Sequence, residues 1–213
     1  MKLVVYGDFN CPLSYLASAR VDAIHAAGLA AIDWRAVERD PGIPDHGRRY
    51  DRELADAVDH DLAAVRRRLR PDESLTLRRP SFESNTAAAI AAYASVPVAA
   101  SGAVRRRLFE SIWASGKNVS DLEYRSTVDA PDRVASWRRS WLGLELPAVP
   151  MLVLHTGYVA RGSVALACLG RLAFTGSLPY RPWAEFRSDV LADRRAKRQA
   201  RSSIRSGDAA GGR

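Results

Sequence analysis

The chain has 213 residues, 47% of them hydrophobic and 26% charged, and a formal net charge of +8. That length suits one good-sized domain, or one domain carrying a large insertion, with the make-up of an ordinary soluble globular protein. No stretch approaches the roughly eighteen apolar residues that span a bilayer, and two cysteines make no disulfide framework, so neither a membrane partner nor an oxidising compartment is expected.

The first predicted element is a short buried strand, Leu3-Val4-Val5-Tyr6. A helix follows, with Leu16, Ala19, Ala23, Ile24 and Ala27 at spacings of three and four, ending at Gly28. Cys11 falls where strand turns into helix. Pro12 suits the first helical turn, where its missing N–H has no partner to lose. The free amides and positive dipole end of a helix stabilise a thiolate placed just before it, so a lowered pKa is expected and Cys11 is a candidate nucleophile. Ser14 stands three residues on, where a second cysteine would close a disulfide. It can donate a hydrogen bond to a thiolate and nothing more. The bland reading of this tetrapeptide is a small buried hydrophobe at a helix start.

Ile32 to Val37 alternates apolar and polar residues as a second strand does, and strand, helix, strand is a βαβ unit with a parallel pair. Asp40-Pro41-Gly42-Ile43-Pro44-Asp45 reads as a loop near the first turn. Helices then dominate to about residue 146. They are expected over 51–70 (stripe Leu54, Val58, Leu62, Val65, Leu69), 84–95, 101–115, 121–128 and 132–142. Strands return at 151–154 and 158–161, joined by His155-Thr156-Gly157 as an antiparallel hairpin. A last helix covers 164–174. The ends of the chain must therefore share one sheet. Residues 1–40 and 147–192 form an α/β domain, 41–146 a helical insertion, and 193–213 a tail.

That tail is basic. From 192 on, seven basic residues stand against two acids, +5 of the net +8. With no large apolar residue beyond Ile204, a solvated, disordered segment is the expectation. Charge alone supports only unspecific, salt-sensitive nucleic-acid binding, which is not expected to be its role. The four histidines share no ligand spacing with either cysteine, so no metal site is expected. The first twenty residues do not have the pattern of a secretory signal, and a cytoplasmic location is the expectation.

Asp8-Phe9-Asn10-Cys11-Pro12 followed by Tyr15-Leu16, Asn85-Thr86 opening an alanine-rich helix, Leu108-Phe109 through Trp113, Gly116 to Asp121, and Val149-Pro150-Met151 together resemble the DsbA family, in particular its cytoplasmic branch. The resemblance implies a thioredoxin-like fold with an inserted helical subdomain. It implies Cys11 as nucleophile with Pro150 as the cis-proline beside it; Cys11 and Ser14 are the expected catalytic residues, and Pro12, Val149 and Pro150 the expected substrate-binding ones. The exposed backbone of Val149 would then pair with a thiol or peptide bound over Cys11. The family's dithiol cycle needs a cysteine where Ser14 stands, so the expectation here is a monothiol enzyme working through a mixed disulfide. The same architecture resembles 2-hydroxychromene-2-carboxylate isomerases and kappa-class glutathione transferases, in which a serine occupies the place of Cys11. On that alternative, Cys11 and Ser14 hydrogen-bond the sulfur of glutathione, the lobe shapes a second pocket, and Arg48, Arg49 or Arg79 holds a carboxylate. No tightly bound cofactor is expected; glutathione or another low-molecular-weight thiol is the candidate partner. A third reading is a non-catalytic member that binds a partner at Val149-Pro150.

Other residues have structural readings. Cys168, in Ala165-Leu166-Ala167-Cys168-Leu169, reads as core. His25 suits the end of the first helix. Trp34, Trp113, Trp137 and Trp141 read as packing, and Tyr15 either packs or faces the site.

Overall fold

The computed structural model describes residues 1–120, 122–123 and 127–178. The expected tail and the 179–192 end of the α/β domain lie outside the described residues. Four strands form a mixed sheet in the order β2-β1-β5-β6. β1 (Lys2–Gly7) sits inside it, parallel to β2 (Ala31–Ala36) on one side and antiparallel to β5 (Met151–Leu154) on the other; β6 (Val159–Arg161) closes the hairpin with β5. Its interior place explains the apolar run: Leu3 and Val5 are fully buried. At the end of β1, a Cβ on Gly7 would lie 2.2 Å from Cζ2 of Trp34, so only glycine leaves room for the indole.

Between β2 and β5 the chain makes α2 (Arg52–Arg68), α3 (Ala87–Ala94), α4 (Val98–Trp113) and α5 (Ala130–Leu142). α1 (Pro12–Ala26) packs against α2, α4 and the last helix α6 (Ser163–Thr175), while α3 and α5 reach β2. Met1–Ser177 therefore pack as one compact unit, with the helical insertion seated on the strands' domain. Capping follows local chemistry: the Asp51 carboxylate accepts from the Leu54 N–H at 2.8 Å at the start of α2, and Pro97 precedes α4 directly after α3.

Three sequence expectations change. The Ala23 and Ala27 side of α1 is exposed, whereas Tyr15, Ser18, Arg20 and Val21 are buried, because neighbours on several sides replace a single apolar stripe. The helix expected over 121–128 is not seen among the described residues there: 122, 123, 127 and 128 are non-helical. Its lead-in is held as a loop, the Val119 N–H donating to Ser84 Oγ (3.1 Å) and the Asn85 N–H to Ser120 Oγ (2.8 Å). And a two-stranded ladder, β3 (Arg48–Arg49) with β4 (Phe82–Glu83), was not anticipated.

A buried charge joins the halves. Arg20 of α1 is 4% exposed and meets Glu73 bidentately (Nε–Oε1 2.6 Å, Nη2–Oε2 2.7 Å), while donating to the carbonyls of Arg68 and Leu166. One side chain thus ties α1, α2, α6 and the 70s loop together. Among the described residues no helix is long and apolar enough to cross a membrane, and no group of three or more His, Cys, Asp or Glu could hold a metal.

Candidate active site

The turn from β1 into α1 is fastened from four directions. Asp8, 2% exposed, accepts the Asn10 N–H on Oδ1 and the Arg39 N–H on Oδ2, both at 2.9 Å. Its own N–H donates to Ser14 Oγ (3.3 Å) and its carbonyl accepts the Cys11 N–H (3.1 Å). Asn10 Nδ2 donates to the Ser84 carbonyl at 2.5 Å, and Trp113 Nε1, at the end of α4, donates to the Phe9 carbonyl at 2.8 Å. The Phe9 ring packs on Phe109 with centroids 4.9 Å apart. The helical insertion therefore contributes the clamps that set the shape of this turn.

Cys11 is the N-cap residue of α1 with Pro12 in the first turn, and the Tyr15 N–H closes the first helical bond to the Cys11 carbonyl. Its Sγ lies 3.9 Å from the Val149 carbonyl oxygen, and the Val149–Pro150 peptide bond is cis. Cys11, Ser14, Val149 and Pro150 thus meet at one place, although 138 positions separate the cysteine from Val149. Pro12 is buried at the start of α1 and serves to begin the helix.

The electrostatics reverse one expectation. Burial pushes the Cys11 thiol above its ordinary range; the positive charge of Arg39 and hydrogen bonds from the Ser14 hydroxyl and amide pull it down, and Asp8 pushes it up. Only 2% of the residue is exposed, so desolvation of the charged form outweighs the helix end. The Asp8 carboxyl is likewise raised, by burial first and by Glu83, against the amides of Asn10 and Arg39 and the Arg39 charge. Val149 is 9% exposed, and its carbonyl faces the Cys11 sulfur.

The three candidate carboxylate-holding arginines divide. Arg48 is bound to Glu83 (2.6 Å) and Asp40 (3.0 Å), Arg79 to Asp59 (3.0 Å), and the Arg49 guanidinium lies 4.9 Å from the centroid of the Phe82 ring. Arg39 is the charge that sequence reasoning missed. Neighbouring acids obscured it, and only the fold brings residue 39 beside residue 8. The role of Asp8 left a fainter trace in Asp8-x-Asn10, the spacing of a side chain that bonds its backbone two residues on.

Cys168 is 1% exposed on α6, its thiol pushed up to about 11 by burial against a hydrogen bond from Tyr158; both cysteines are free. Tyr15 is 5% exposed and stacks on Phe109 (5.6 Å, 12°), and Trp34, Trp113, Trp137 and Trp141 are buried. One turn past Cys11, a cavity of about 550 Å³ opens between α1 and α4, with Tyr15, Ser18, Asp22, Ser74, Arg106 and Glu110 in its wall.

Residues 2–130 match the DSBA-like thioredoxin domain, and the chain belongs to that family; its fold is the α/β thioredoxin-like fold of the family. Among solved structures it is similar to a 2-hydroxychromene-2-carboxylate isomerase, at 18% identity and TM-score 0.58, covering 94% of this chain and 98% of that one. It is also similar to a probable DsbA oxidoreductase from Streptomyces coelicolor (19%, 0.56, 85% and 93%) and to the cytosolic disulfide reductase DsbM from Pseudomonas aeruginosa, solved with GSH (16%, 0.53, 81% and 96%). Comparison with curated proteins finds no significant match.

Proposed function

We propose that the chain is a thiol–disulfide oxidoreductase that works through Cys11 alone. The observation that carries this reading is the meeting of the Cys11 sulfur, the Ser14 hydroxyl and the Val149 carbonyl at the start of α1. Once deprotonated, Cys11 attacks one sulfur of a disulfide, forms a mixed disulfide and expels the other sulfur as a thiolate. An external thiolate then attacks the mixed disulfide, takes the bound half into a new disulfide and returns Cys11 as thiolate. Ser14 cannot resolve the intermediate, so the second thiol comes from solution. Glutathione, which the Pseudomonas aeruginosa reductase holds in its structure, is the first candidate for it. Two free cysteines suit a reducing cytoplasm, where we place the protein.

A second reading has its own observation. A glutathione-dependent isomerase or transferase needs room for a second substrate, and the cavity between α1 and α4, one turn along α1 from Cys11, supplies it, with Cys11 and Ser14 holding the cofactor's sulfur. An exchange assay separates the two: reduction of a small disulfide by excess thiol, compared between wild type and Cys11→Ser. Catalysis lost in the variant supports the oxidoreductase. Saturable glutathione binding without exchange supports the isomerase or transferase, and neither leaves a non-catalytic binding member of the family.

A further inference from the structure

We propose that Arg39 is the residue that docks the anionic part of the thiol partner beside Cys11, and that the substrate class is therefore a low-molecular-weight thiol or disulfide bearing a carboxylate. This rests on the thiol chemistry proposed for Cys11 and names the substrate of that same site. Three observations support it. First, residue 39 is pinned at the site through its backbone: the Val37 N–H donates to the Gly7 carbonyl and the Arg39 N–H to Asp8 Oδ2, each at 2.9 Å, and the Asp8 carbonyl receives the Cys11 N–H. Second, the side chain is exposed, and among the described residues no carboxylate forms an ion pair with its guanidinium. Arg48 and Arg79 nearby are both taken by acids. Third, Arg39 and Cys11 feel each other's charge, Arg39 being the largest influence that favours the thiolate, with Asp8, Asp61 and Glu83 also in its field.

These facts assign two tasks to one guanidinium. A planar fork of donors suits a carboxylate, and an anion drawn to it is held by the same charge that favours the Cys11 thiolate. Of the acids in its field, Glu83 is held by Arg48, and the carboxylates of Asp8 and Asp61 act on the guanidinium without an ion pair to it among the described residues.

The test compares the rates at which Cys11 is alkylated by iodoacetate and by iodoacetamide, an anionic and a neutral reagent of nearly the same size, read on the Cys11 peptide by mass. Wild type is expected to favour iodoacetate more than a free thiol does, and Arg39→Gln to lower the ratio by about threefold or more, the order one partly screened cation produces. Arg39→Lys should keep most of the preference. Because Arg39 is anchored by its N–H, both variants retain the contact to Asp8. An unchanged ratio in Arg39→Gln, with Cys11 still reactive, overturns the docking role and leaves the thiol chemistry standing. Failure of Cys11 to react with either reagent in the folded wild type overturns the thiol chemistry, and the docking role with it.

Discussion

The sulfur of Cys11 lies 3.9 Å from the carbonyl oxygen of Val149, and the rest of the site is arranged about that contact. The strand order β2-β1-β5-β6 sets it up: β1 delivers Cys11 at its end, and β5, its antiparallel neighbour, begins at Met151 just after Pro150. Burial at this junction gives Cys11 its raised pKa, and the polar groups around it, Ser14 and Arg39, oppose that shift.

Ser14 serves two partners, accepting the Asp8 N–H and bonding the Cys11 sulfur. Ser14→Ala leaves a buried N–H unpaired and removes one stabiliser of the thiolate. The expected results are a stability loss of about 1–3 kcal/mol in urea unfolding and a pH–rate profile for Cys11 alkylation displaced to higher pH.

Ser14→Cys restores the missing thiol three residues on. Resolution becomes intramolecular, so the mixed disulfide on Cys11 should decay about tenfold faster or more, and peptide mass should show the oxidised variant with a disulfide between Cys11 and the introduced thiol. An unchanged decay would mean that residue 14 does not face the sulfur.

Buried Arg20 and half-buried Glu73 form a pair on which four elements converge. Removing one partner strands the other, so Glu73→Ala should cost about 3–5 kcal/mol by denaturant unfolding. Burial raises the Glu73 carboxyl, but bonds from Arg20 and the Arg70 amide win and hold it below the carboxylate range; Asp33, with Arg35 and Lys2, is lowered in the same way. The sign follows from linkage. A depressed carboxylate stabilises the fold fully above its unfolded pKa of about 4, and that stabilisation fades as pH falls through the lower folded value. Wild type should therefore lose stability steeply below pH 4, and Glu73→Ala less so.

Gly7→Ala places a methyl 2.2 Å from the Trp34 ring. Trp34 packs edge-on to Phe109 and lies under Arg105, which is itself bonded to Ser18 and ion-paired with Asp22, so the ring has little freedom to retreat. A loss of about 1–3 kcal/mol and a changed tryptophan emission spectrum are expected.

The parts of this site that the sequence made legible are those with a local cause. Cys11-Pro12 after an apolar run marks a helix start by backbone chemistry alone, and the hairpin at His155-Thr156-Gly157 follows from turn residues. What stayed hidden depends on distant partners. Two-residue strands such as β3 and β4 carry no period, and exist because Arg48 and Glu83, 35 positions apart, meet. The raised thiol of Cys11 arises from burial by other elements, which a helix-end argument does not contain. Arg20 carries no local signal in its own helix; only the approach of the 70s loop and α6 makes it a buried tie.

The most direct measurement is the intact mass of the folded protein after exposure to oxidised glutathione across pH 6 to 10, with Cys11→Ser alongside. The account predicts one glutathione on Cys11, forming faster as pH rises, removed by added free thiol and absent from the variant. A wild-type protein that stays unmodified throughout that range while still folded would contradict it.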